Sequence, residues 1–247
     1  MGSITQECSV VDPVQPTLDK EIIQKNKINP KIRGIVVEAV GKIAKTINVE
    51  VEKIYLLGST LTKQYTESSD LDVTIFIKKS DDELHKINKI CAKYFNDKIY
   101  FNEHPVNFFF TSRKDFFNFK ADAIYDLIHD KWIKKPHTLQ EKDVEELIQN
   151  CANVKEFNEI MAEYTKLKEM LDSQDSAENI INQTLKVSSL FEKIKDIRRA
   201  DFDKKKEDGL PSANYRCSNI VFKLLESYGL DKLAIQVARF FESRLNH

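Results

Sequence analysis

Val51-Glu52-Lys53-Ile54-Tyr55-Leu56-Leu57-Gly58-Ser59, ten further residues, and then Asp70-Leu71-Asp72-Val73-Thr74-Ile75-Phe76-Ile77 form the stretch whose reading decides the fold. Val51 to Leu57 is a short apolar run with β-branched residues, ended by Gly-Ser, which suits a buried strand feeding a turn. Leu71 to Ile77 alternates well enough to be its partner, with a helical or irregular linker from Thr60 to Ser69 between them. A glycine at the strand exit lets the backbone approach a bulky anion, and the amides after it can point at phosphate oxygens. Ser59 adds a hydroxyl donor. Asp70 and Asp72, two apart at the mouth of a strand, project from one sheet face and can hold hard cations between them. Two such metals can stabilise the attacking and leaving oxygens of an in-line phosphoryl displacement.

Upstream, Asn29 can cap a helix and Pro30 can take its first position, after which Ile32, Ile35, Val36, Ala39, Val40, Ile43 and Ile47 recur at helical spacing. Residues 1–17, with Pro13 and Pro16 among polar residues, read as a flexible N-terminal arm. Downstream, Ser80-Asp81-Asp82 starts a helix marked by Leu84, Ile87, Cys91 and Tyr94. Lys98–Phe101 and Val106–Phe110 then flank Asn102-Glu103-His104-Pro105, a hairpin with a four-residue loop. From Ser112 the strand signal disappears. One helical stripe carries Val154, Phe157, Met161, Tyr164, Leu167 and Leu171, and another carries Ala177, Ile180, Ile181, Leu185, Ser188, Phe191 and Ile194. Two last helices follow, parted at Gly229. The expected fold is therefore α+β: a small mixed-sheet core over 18–115 flanked by helices, then an all-helical domain over 116–247.

The chain of 247 residues is 41% hydrophobic, enough to bury a core, and its 38 basic against 39 acidic residues leave a net charge of -1. That balance gives no global drive toward nucleic acid or an anionic membrane, so any polyanion site must be a local patch. No apolar run is long enough for a membrane span, and the N-terminus lacks the order of a secretory signal, so a cytoplasmic protein is expected. Cys8, Cys91, Cys151 and Cys217 are scattered without zinc-ligand spacing and read as reduced thiols filling the core.

Three other readings of the Asp-Leu-Asp stretch compete. A haloacid dehalogenase phosphatase motif and the paired aspartates of metal-dependent glycosyltransferases both place the acids after an apolar strand, whereas here they precede one. The bland alternative, acidic residues that merely solvate a strand's end, leaves the Gly-Ser pair unexplained. The order strand, Gly58-Ser59, ten residues, Ser69-Asp70-Leu71-Asp72, apolar strand resembles the signature of the polymerase-β-like nucleotidyltransferases. That resemblance implies Gly58 and Ser59 on a nucleoside triphosphate and Asp70 and Asp72 on Mg²⁺ or Mn²⁺; Lys63, from its place in the loop after Gly-Ser, is read separately as a residue that can touch the triphosphate. It also implies a third carboxylate on the later strand around Val106-Asn107-Phe108, where this chain has Asn107. Asparagine offers a neutral oxygen to a cation and cannot act as a base. Glu103 has the parity of Asn107 but lies about 13 Å away along a strand, unless the turn beside it curls back.

Ala123 to Trp132 and Ser218 to Leu225 resemble phage-encoded members of the superfamily, which implies a helical acceptor domain. The expected function is transfer of a nucleoside monophosphate from a triphosphate, ATP among them, to a hydroxyl, with an RNA end among several open acceptors. The alternative is a catalytically impaired relative that binds nucleotide, nucleic acid or a protein partner. Lys193, Lys195, Arg198, Arg199, Lys204, Lys205, Lys206 and Arg216 could track a phosphodiester backbone. Asp196, Asp201 and Asp203 between them favour a solvated helix face. Tyr65, Tyr215, Trp132 and His104 are read first as packing residues.

Overall fold

The computed structural model describes residues 15, 17–65, 69–112, 121–136, 141–152, 154–203 and 215–245. Most of the expected N-terminal arm, like Lys204 to Lys206, lies outside the described residues. Two short strands, β1 (Ile23–Gln24) and β2 (Lys27–Ile28), form a tight antiparallel hairpin. Its turn residues Lys25 and Asn26 take φ of 49° and 65°. Helix α1 (Pro30–Thr46) follows, its first turn capped by the Asn29 side chain, which accepts from the Lys31 amide at 3.0 Å. Ile32, Val36, Ala39, Val40 and Ile43 are buried as the helical period requires, while Ile35 faces out.

Strand β3 (Val51–Leu57) leads through a single 3₁₀ turn at Ser59–Leu61 to β4 (Leu71–Ile77), and the two pair antiparallel with Leu57 opposite Asp72. Helix α2 (Asp81–Tyr94) begins in a capping box in which Ser80 and Glu83 serve each other's backbone amides. Tyr94, expected in its stripe, is exposed. Strands β5 (Tyr100–Phe101) and β6 (His104–Thr111) then make a hairpin whose turn is two residues, not four, because Asn102 adopts a φ of 50° and reverses the chain at once. His104 therefore belongs to a strand. β6 runs parallel to β4, and where β5 stops, α2 covers its edge: Asn88 exchanges hydrogen bonds with the backbone of Phe110, and Asn96 accepts from the Phe108 amide.

The sheet does not end there. β7 (Ile124–Asp126) pairs antiparallel with β3, and β8 (Lys131–Lys134) with β7, giving the order β5-β6-β4-β3-β7-β8. These strands fall where only helix was expected; three and four residues are too few to show a period, and pairing to β3 fixes them. The described residues up to 136 form one compact unit and those from 141 onward another. One sheet face, with Ile54, Leu56, Val73, Ile75, Val106, Phe108 and Phe110, packs with the apolar sides of α1 and α2. The opposite face carries Asp72, Thr74, Asn107 and Phe109 by strand alternation.

The second unit is helical: α3 (Glu141–Ala152), α4 (Lys155–Asp172), α5 (Ala177–Asp203), α6 (Cys217–Ser227) and α7 (Leu233–Leu245). α5 lies against α4, α6 and α7, and α3 against α6. Of the two expected stripes, Tyr164, Leu167, Ile180, Phe191 and Ile194 are buried, whereas Ile181 and Leu185 face out; Ile160 and Val187, outside both stripes, are buried as well. Gly229, at a φ of 81°, separates α6 from α7 as expected. Cys151 and Cys217 are not thiols: a disulfide joins the end of α3 to the start of α6, while Cys91 is free and buried. Among the described residues, no helix is long and apolar enough to cross a membrane.

Candidate active site

Every residue of the site hangs on how β4 is entered. Gly58 leaves β3 with φ 93° and ψ -175°, a region essentially closed to residues with a Cβ and worth about 1–3 kcal/mol of strain for any other residue. Space makes the same demand. A Cβ there would collide with Asp72 Oδ2 and lie 3.2 Å from Asp72 Cγ. The glycine bend and the second aspartate therefore face each other across the β3–β4 pair, at the step where Leu57 and Asp72 are in register.

On the other side of Asp72, in register on the parallel strand β6, stands Asn107. Its Nδ2 donates to Asp70 Oδ2 at 2.9 Å, so Asp70, Asp72 and Asn107 come together at the mouth of β4. The two aspartates are exposed and Asn107 is half-buried. Asn107 Oδ1 is buried without a hydrogen-bond partner among the described residues. Glu103, weighed as a substitute, sits exposed in the β5–β6 turn. Ser59 opens the 3₁₀ turn, its carbonyl accepting from the amide and the hydroxyl of Thr62 at 2.8 and 2.9 Å. Lys63 is half-buried just after it, and its carbonyl accepts from the Gln15 amide at 2.5 Å.

Three supporting residues escaped the sequence reading or were given another role. Thr60, fully buried, donates to the Asp70 carbonyl at 3.4 Å. His104, read as turn packing, is buried in β6 with Nδ1 at 2.7 Å from the Ser69 carbonyl and Nε2 at 3.5 Å from Asp19 Oδ2. Asp19 lies in a segment without periodicity, so no pattern marks it; Thr60 is marked by nothing except its place two after Gly58. Other candidates are used internally. Arg198 donates to Asn219 at 2.6 Å and lies over the Phe222 ring, Arg216 holds the Asp201 carbonyl, and Lys195 and Arg199 pair with Glu192 and Asp196. Trp132 donates to the Asn26 carbonyl and packs edge-on against Tyr125. Tyr215 is buried, and Tyr65 is half-buried, with burial pushing its hydroxyl pKa up.

The donor set can be tested against a divalent cation. No group of three His, Cys, Asp or Glu side chains is placed to hold a metal among the described residues. Two carboxylates and one amide remain, and the stranded Asn107 oxygen decides the fit. Without a cation, the amide must turn its nitrogen to Asp70, since two oxygens would repel, and this leaves Oδ1 buried without a partner. Exchanging the amide's two ends would bring that oxygen toward Asp70, an arrangement that suits a hard cation held between them. The set fits one divalent cation through Asp70, Asp72 and Asn107.

No curated protein and no solved structure matches the chain. The family model described as nucleotidyltransferase domain matches residues 36–169, from within α1 to within α4 and more than half of the chain. With this match covering both aspartates, the glycine bend and all but the first two strands, the chain belongs to the nucleotidyltransferase domain family.

Proposed function

We propose that this protein transfers a nucleoside monophosphate from a nucleoside triphosphate to an acceptor hydroxyl, an RNA end being one such acceptor, and releases pyrophosphate. Asp70 and Asp72 would hold Mg²⁺ or Mn²⁺ with Asn107 as a neutral third oxygen, and Gly58, Ser59 and Lys63 would hold the phosphates. The observation that carries this reading is the contact of Gly58 with Asp72, with Asp70 and Asn107 alongside. The acceptor oxygen bonds to the α-phosphorus as the bond to the pyrophosphate oxygen breaks. A bound cation supplies charge neutralisation on the phosphate oxygens. Asn107 is neutral and takes no proton, so the acceptor's proton goes to a carboxylate of the pair or to solvent. The absence of a side chain at residue 58 leaves the bend's backbone open to an anion.

Calorimetry with each of the four ribonucleoside triphosphates, with and without Mg²⁺, tests the reading. Wild-type protein should bind at least one triphosphate only with Mg²⁺, and Asp70→Ala and Asp72→Ala should abolish that binding. Binding that is indifferent to Mg²⁺ or to both substitutions would overturn it. Asn107 favours a second reading, a protein that binds nucleotide without turnover. Incubation of labelled triphosphates with mixed RNA, followed for pyrophosphate release and for mass added to RNA or to the protein itself, separates the two.

A further inference from the structure

We propose that His104 is a positioning residue that sets Asp70 through the carbonyl of Ser69; this rests on the metal-binding role of Asp70 proposed above. Segment 69–70 leads into β4, whose pairing with β6 starts at Leu71 and Val106. Here two consecutive carbonyls are each taken by a buried side chain from a flanking element. Thr60 of the 3₁₀ turn reaches Asp70 O, and His104 of β6 reaches Ser69 O at 2.7 Å. A carbonyl cannot donate, so Nδ1 carries the hydrogen. The ring is fixed from behind by Asp19, itself buried, whose Oδ1 accepts from the amides of Glu21 and Ile22 and whose Oδ2 faces Nε2. The order Asp19, His104, Ser69 carbonyl, Asp70 joins a segment 51 positions away to the carboxylate at the mouth of β4.

A tether that merely fastens the N-terminal segment to β6 would act through Nε2 and Asp19; a positioning residue acts through Nδ1 and Ser69. Two substitutions separate these. The amide nitrogen of asparagine can replace Nδ1, whereas that of glutamine reaches toward the place of Nε2. Mn²⁺ alone is the probe, its free ion counted by electron paramagnetic resonance on full-length protein, with melting temperature as a check of folding. His104→Gln should weaken Mn²⁺ binding by about tenfold or more, the usual effect of losing an outer support of a metal ligand. His104→Asn and Asp19→Asn, which keep the donor to Ser69, should stay close to wild type. The reverse order, or folded variants that all bind as wild type does, overturns the proposal, as does a tenfold loss in Asp19→Asn. Wild-type protein that binds no Mn²⁺, or binds it equally after Asp72→Ala, overturns instead the metal-site reading beneath it.

Discussion

Asn107 holds its neighbours by being an amide rather than an acid. Its Nδ2 donates to Asp70, and the register with Asp72 keeps it beside both carboxylates. Replacing it with aspartate exchanges that donor for an acceptor and brings three negative groups together, which raises their mutual repulsion and their affinity for a cation at once. Asn107→Asp should therefore melt at a lower temperature than wild type in chelator, recover when Mg²⁺ is added, and show a larger Mg²⁺-dependent rise than wild type. A melting temperature that does not respond to Mg²⁺ in the variant would contradict the placement of a cation between these three residues. Gly58 is the complement to this argument: there both the φ of 93° and the Asp72 carboxylate exclude a side chain, so the bare backbone that a phosphate could approach is enforced twice.

Short elements in this sheet depend on single side chains. β7 and β8 together have seven residues, and the turn between them is organised by Asp126, which accepts from the amides of Ile128 and His129 and from the His129 ring. Burial pushes the Asp126 carboxyl up, but the hydrogen bonds and charge of His129 and the Ile128 amide outweigh it, so its pKa lies below the ordinary 3.8. A lowered carboxylate stabilises the fold fully above that ordinary value and ceases to do so as pH falls through the lowered one. Asp126→Asn keeps an acceptor for the two amides and loses the charge. Urea midpoints of the wild type should accordingly fall more steeply below about pH 4 than those of the variant, and parallel curves would refute the assignment. The capping box of α2 is a simpler local device, and Ser80, Glu83 and the acidic first turn announce it in the sequence.

Across the whole molecule, the disulfide between Cys151 and Cys217 closes a loop of 66 positions within the helical unit. Restricting the unfolded chain over that span is worth about 4 kcal/mol by loop entropy. Reductant, or Cys151→Ser with Cys217→Ser, should lower the denaturant midpoint of the helical unit, and thiol counting of the unfolded, unreduced protein should find neither cysteine free. Equal midpoints with and without reductant would remove the cross-link from the account of stability. The thiol expectation failed because spacing reports only neighbours in the chain, whereas this pair meets through the packing of α3 on α6.

What the sequence by itself determined is what has a period, a cap or a local motif. β3, β4, α1 and α2 were legible from alternation, from Asn29-Pro30 and from Ser80, and so was the placement of Gly58, Asp70 and Asp72 at strand ends. Strands too short to show alternation were not legible, nor was the two-residue turn that puts His104 into β6. Nor was the exposure of Ile181 and Leu185, since periodicity names a face without saying what covers it. Tertiary structure alone decided how closely Asp72 approaches Gly58, that Asn107 rather than Glu103 stands level with Asp72, and that Asp19 reaches His104. Each of these is a contact between segments far apart in the chain, set by strand register and core packing, and no local propensity encodes a register.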